Sequence, residues 1–194
     1  MTDISDRVKI ERTQILSDEW CELSKVTFAW RRRDGSWHRS DREVYARGDA
    51  AVILLYDTQR RTVVLTRQFR MPAYRNGYRE LMIEAAAGLL DGAAPEERIR
   101  AEAEEETGYR VGALRKLFEL FMGPGAITEK MHFFAAPYVP GDRVGAGGGI
   151  AHEGEDIEVF EIGFDDAFAM IADGRIVDAK TVILLQWAER SVWG

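Results

Sequence analysis

Over residues 20–30, Trp20, Glu22, Ser24, Val26, Phe28 and Trp30 alternate with Cys21, Leu23, Lys25, Thr27 and Ala29. A period of two predicts a strand, here with two weakly different faces. Asp34-Gly35 marks a tight hairpin turn, because glycine accepts the positive φ such turns demand, and 36–45 is the returning strand. Residues 51–56 and 62–69 are apolar enough for a central sheet, with a turn around 57–60 between them. One helix is expected at 95–107. Pro95 suits its first position, Glu96 and Glu97 sit where the helix dipole favours anions, and Gly108 is a natural stop. Further strands are expected at 112–121, 131–138 and 157–162, and helices at 165–172 and 180–190 with Gly174 between. This order predicts an α+β chain: a mixed β-sheet sandwiched between α-helices, preceded by an N-terminal antiparallel β-subdomain over 1–48, with the main domain over 49–194.

Composition changes this picture by exclusion. The 194 residues are 46% hydrophobic, enough for a real core. Thirty-three acidic against 26 basic residues leave a net charge of −7, which argues against a nucleic-acid or anionic-membrane partner. The longest apolar run, 50–56, is seven residues, against roughly 20 for a bilayer span. The first 20 residues carry Asp3, Asp6, Glu11, Asp18 and Glu19 without an apolar stretch, so no signal peptide is expected. Cys21 is the single cysteine, which excludes an intrachain disulfide and fits a cytoplasmic protein. His38, His132 and His152 show no metal-ligand spacing, and no Gly-x-Ser-x-Gly nucleophile motif is present. The glycine-rich stretch 145–149 does not join a strand to a helix, so it reads as a flexible loop rather than a dinucleotide fingerprint. Its acidic continuation, Glu153, Glu155, Asp156 and Glu158, reads either as a lid over a site or as a solvated surface segment.

The helix at 95–107 carries the informative chemistry. At 100° per residue and with Ile99 at zero, Glu106 falls at about −20°, Ala103 at about +40°, Glu102 at about −60° and Glu105 at about −120°. Glu97 and Glu104 fall near the opposite side. Glu102 and Glu106 thus share the inward apolar face. Like charges one turn apart cost only about 0.2–0.5 kcal/mol on an exposed helix, but more as water leaves. A hard divalent cation relieves that repulsion, and carboxylates with backbone carbonyls are the donors that Mg²⁺ or Mn²⁺ prefers. A solvated helix face remains the alternative at this point.

The run 102–109, Glu-Ala-Glu-Glu-Glu-Thr-Gly-Tyr, resembles the signature of Nudix hydrolases, with Glu102, Glu105, Glu106 and Gly108 in register. Gly88 is one residue too close to Glu102, Ala94 stands where the first Glu of the signature belongs, and Ala101 replaces its Arg. A closer resemblance, to the GDP-mannose pyrophosphatase branch, covers nearly the whole chain. It runs through 14–18, 42–45, 67–70, 87–91, 116–120 and 156–159.

The resemblance implies a Nudix fold over 49–194 and metal-dependent hydrolysis of a nucleoside diphosphate sugar, GDP-mannose giving GMP and mannose 1-phosphate. It implies Mg²⁺, with Mn²⁺ as the alternative ion, held by the Ala87 carbonyl and by Glu102, Glu105, Glu106 and Glu155. Glu102 and Glu106 are the implied catalytic carboxylates, and Glu155 either joins the ligands or orients and deprotonates the water, with Glu153 and Asp156 as its local competitors. Implied substrate contacts are Trp20, Asp41, Arg42, Glu43, Arg70, Ala87, Gly88, Leu89, Glu129 and Lys180. Trp20 is implied to reach the nucleotide of a partner subunit, in a homodimer with exchanged N-terminal strands; core packing is its other reading. The rival substrate is ADP-ribose, giving AMP and ribose 5-phosphate. The rival class is a nucleotide-binding module without catalysis, which the retained Glu102, Glu105 and Glu106 disfavour.

Overall fold

The computed structural model describes residues 3–150 and 154–194; His152 and Glu153 lie outside the described residues. Two compact units emerge, Met1–Asp49 with Phe121–Lys130, and Ala50–Leu120 with Met131–Gly194. No helix among the described residues is long and apolar enough to cross a membrane.

The first unit is a three-stranded antiparallel sheet in the order β1 (Val8–Asp18), β2 (Glu22–Arg31) and β3 (Trp37–Ala46). The β2–β3 hairpin closes at Gly35, whose φ of 85° meets the expected turn. β1 is absent from the sequence reading because its polar run of Lys9, Glu11, Arg12, Thr13 and Gln14 gives no apolar period. Ten of its eleven residues are exposed, so neither face is covered within the chain. The weak alternation of β2 does separate two faces. Val26 and Phe28 line an apolar cleft of about 470 Å³ with Val8, Ile10 and the loop 124–128. On the other face, Lys25 and Thr27 meet Asp41. The segment 121–130 is tied to β3 by Tyr45 N–H to Ala126 O at 2.8 Å and Thr128 N–H to Tyr45 O at 3.1 Å.

The second unit is built on a seven-stranded mixed sheet. Its path runs β10 (Glu158–Gly163), β5 (Thr62–Gln68), β4 (Ala50–Asp57), β9 (Lys130–Pro137), β8 (Arg115–Phe121), with β4 and β9 parallel. β4 and β5 pair only over 55–57 and 62–64. Beyond that they diverge, and two strands of three residues fill the opening: β6 (Met82–Glu84) beside β5 and β7 (Ala87–Leu89) beside β4. They are too short to carry a readable period. The short helix α1 (Met71–Arg75), started at Pro72, was likewise not expected.

Helix α2 (Pro95–Thr107) has the predicted bounds and ends on Gly108 at φ 76°. Its Ile99 and Ala103 pack with Ala51, Ile53 and Leu55 on one face of β4. The alternate residues of β4 point the other way. There Tyr56 meets Trp187 of α4 (Ala179–Ala188). α3 (Phe164–Ala172) precedes α4, so helices cover both faces, as expected.

Candidate active site

Burial on α2 follows the helical wheel. Glu102 is 6% and Glu106 2% exposed, while Glu97 and Glu104 are open to solvent. The solvated-face alternative therefore fails for these two carboxylates. Burying Ile99 gives about 1.5–3 kcal/mol, several times the like-charge cost on an open helix. The apolar stripe thus decides which face turns inward.

Each carboxylate has an internal partner. Glu106 accepts the Ala87 N–H at 3.0 Å. Glu102 pairs with Arg98, whose Nε also donates to the Leu89 carbonyl at 3.1 Å. Glu105 is 3.8 Å from the same guanidinium. Glu155 accepts the Ile150 N–H at 2.8 Å. Burial pushes the Glu106 carboxyl up to about 8, helped by repulsion from Glu102 and Glu155 and opposed by the Ala87 amide and Arg70. Glu102, Glu155, Arg70 and the Ala87 backbone thus act on one carboxyl. Gly88 permits this approach: a Cβ there would lie 1.8 Å from Glu102 Oε1.

The glycine-rich loop is not loose over its described part. Val144 and Gly145 donate to Gly108 O, Gly148 to Glu106 O and Gly149 to Glu105 O, at 2.8–3.2 Å. These bonds satisfy carbonyls that the end of α2 leaves without intrahelical partners. A Cβ on Gly147 would meet Glu106 O at 2.5 Å, which explains the glycine. The flexible-loop reading is corrected for 145–150: the segment is a cap on α2 that leads to Glu155.

Two predicted cations of this unit are paired rather than free. Arg70, at the start of α1, gives Nε to Glu84 at 2.7 Å. Lys180 is buried in α4 and pairs with Glu84 and Asp178. Burial pulls the Arg70 guanidinium down, yet Glu84, Glu106 and Asp178 hold it above its ordinary value. Glu84, Asp178, Thr181 and Arg98 were not singled out from the sequence. Glu84 had a signal: it is a lone carboxylate in the apolar run 81–87, where burial demands a partner.

Trp20, Asp41, Arg42, Glu43 and Glu129 lie in the first unit. Glu129 is buried and pairs with Arg47 at 3.0 Å, and that guanidinium stands 5.7 Å from the Trp20 ring centre. Trp20 is 72% exposed, so its core-packing reading fails within the chain. Asp41, Arg42 and Glu43 are exposed on β3. Hydrogen bonds from Thr27 and Lys25 hold the Asp41 carboxyl below its ordinary value.

No cluster of three or more His, Cys, Asp or Glu among the described residues is closed around a metal-sized space. The donor chemistry nevertheless fits a hard divalent ion, for Glu102 and Glu106 are buried carboxylates on one face of α2 and Glu155 adds to the repulsion that raises Glu106.

Comparison with known proteins gives a uniform result. Residues 7–45 match the model described as the GDP-mannose pyrophosphatase NudK N-terminal domain, and residues 46–185 match the NUDIX domain. A GDP-mannose pyrophosphatase of Pectobacterium atrosepticum is 51% identical over 191 residues, covering 98% of each chain. That of Klebsiella pneumoniae is 49% identical over 97% of this chain and 94% of its own. That of Escherichia coli K12 is 49% identical over 97% of this chain and 98% of its own.

Proposed function

This chain belongs to the NUDIX family and is a hydrolase, and from that premise we propose that it cleaves the pyrophosphate bridge of GDP-mannose, yielding GMP and mannose 1-phosphate. The observation that carries the reading is the shared burial of Glu102 and Glu106 on one face of α2, where Glu155 adds to the repulsion on Glu106.

The substrate is anionic and so is the site. At 4 Å and an effective dielectric near 20, each like-charge pair costs about 4 kcal/mol, so cations are required. In this reading Glu102, Glu106, Glu155 and the Ala87 carbonyl hold Mg²⁺, with Mn²⁺ as the alternative, and Glu105 stands behind them on Arg98. The bound ion would neutralise carboxylates, polarise phosphoryl oxygens and lower the pKa of water. The chain's own part is positioning. Arg70 and Lys180 face the bridge oxygens, Gly88 supplies backbone close to Glu102, and the Leu89 carbonyl holds Arg98. Glu155 holds or deprotonates the attacking water. Trp20, with Asp41, Arg42, Glu43 and Glu129, receives the nucleotide and sugar.

The reading includes a homodimer that exchanges N-terminal strands. Its support is β1, exposed along its length with Ile10 at 70% and Ile15 at 57%. A cytoplasmic setting is also part of it, supported by the single, free Cys21.

The test is hydrolysis of GDP-mannose beside ADP-ribose and GDP-glucose with Mg²⁺, products being separated by chromatography. GMP and mannose 1-phosphate should dominate. Preference for ADP-ribose, or binding with no turnover, would defeat the proposal.

A further inference from the structure

Glu84 is 4% exposed, and each of its oxygens takes one cation. Oε2 accepts from Arg70 Nε at 2.7 Å and Oε1 from Lys180 Nζ at 2.5 Å. Lys180, 9% exposed, gives a second donor to Asp178 Oδ1 at 2.9 Å. Asp178 is fixed in turn: its Oδ2 accepts from Thr181 N–H at 3.0 Å and Thr181 Oγ1 at 2.6 Å. Thr181 Oγ1 accepts from the Ala85 N–H at 2.7 Å, so the chain of contacts closes beside Glu84 itself.

A buried ion pair is a poor device for stability, because well-packed apolar residues usually serve as well or better. It does hold two long side chains in one place. Glu84 engages them by their inner donors only. Among the described residues, Arg70 Nη1 and Nη2 have no acceptor, and Lys180 uses two of its three ammonium hydrogens. Arg70 also lies within electrostatic reach of Glu106. The remaining donors therefore belong to two cations held side by side on Glu84, one of which, Arg70, is within electrostatic reach of Glu106. Without Glu84 those cations would repel each other, and ordering them would oppose binding.

We infer that Glu84 is a positioning residue that holds Arg70 and Lys180 as a preformed receptor for the anionic oxygens of the pyrophosphate, with Asp178 fixing the second donor of Lys180. Glu84 acts through the two cations and does not touch substrate. The inference rests on the hydrolase reading above for the identity of the anion.

Glu84→Gln keeps the shape and removes the charge. KM for GDP-mannose should rise about tenfold or more, the scale of a lost charge-assisted hydrogen bond, with kcat within about threefold. Affinity for inorganic pyrophosphate, measured calorimetrically with Mg²⁺, should fall by a similar factor. In a Lys180→Met background Glu84→Gln should have a smaller added effect than in the wild type, because the Glu84–Lys180 contact is already gone and only the hold on Arg70 remains to be lost. Unchanged KM and pyrophosphate affinity would overturn the inference. So would a fall in kcat and Tm alone, which marks a merely structural role. Should Glu84→Gln be insoluble, Glu84→Asp keeps the charge one methylene shorter; a raised KM with kcat retained supports the inference, and an unchanged KM overturns it. If the wild type cleaves no GDP-mannose while pyrophosphate binding still depends on Glu84, the substrate assignment fails and the positioning role stands.

Discussion

Glu106 meets opposed demands. It lies on the inward face of α2 with Ile99 and Ala103, yet burial and two neighbouring carboxylates disfavour its charge. Glu106→Gln should lower kcat on the order of 10³-fold while leaving the circular dichroism spectrum unchanged. Normal turnover in that variant would remove Glu106 from the machinery. The same carboxyl predicts a pH effect. A group raised from 4.5 to about 8 keeps its proton longer in the folded chain. The stability it contributes is therefore full below about pH 4.5 and is lost as pH climbs through about 8. In metal-free buffer the wild-type Tm should drop more steeply between about pH 5 and 8 than that of Glu106→Gln. Parallel curves would show that Glu106 titrates normally. Added Mg²⁺ near neutral pH should release close to one proton, seen as heat that varies with the buffer's ionisation enthalpy.

Two elements collaborate at the end of α2. The helix spends its last carbonyls on the glycine-rich loop, and the loop carries the chain to Glu155. Gly147, at φ 72°, is one tight point of this junction, since neither the conformation nor the space admits a side chain. Gly147→Ala should cost roughly 1–3 kcal/mol from backbone strain alone, a Tm loss of several degrees by thermal denaturation. Gly141→Ala is the control, because nothing lies within 4 Å of its added Cβ. Equal Tm values for the two variants would mean that the loop does not cap the helix. Apolar content and charge placement made α2 readable to the residue: Pro95 at its start, Gly108 at its end, Ile99 and Ala103 inward. β6 and β7 were not readable, because their pairing comes from the divergence of β4 from β5, a long-range event.

At the level of the molecule, β1 is the unsolved surface of a lone chain. Ile10, Ile15 and Trp20 are each more than half exposed, which a monomer seldom tolerates in one region. Sedimentation equilibrium should give twice the 22.0 kDa chain mass. Ile15→Glu should shift it to 22.0 kDa and reduce turnover, as Trp20 would lose the subunit it serves. A wild-type monomer with full activity would refute the exchanged dimer.

Period, punctuation and charge were enough to place most strands and helices and to turn Glu102 and Glu106 toward the core, since those signals act within a few residues. The partners were out of their reach. That Lys180 is buried against Glu84 and that the glycine stretch closes on α2 both depend on segments brought together across the fold. Local patterns report which face a residue prefers; which opposite charge or carbonyl it meets there is settled only when distant strands pair and the buried groups must satisfy one another.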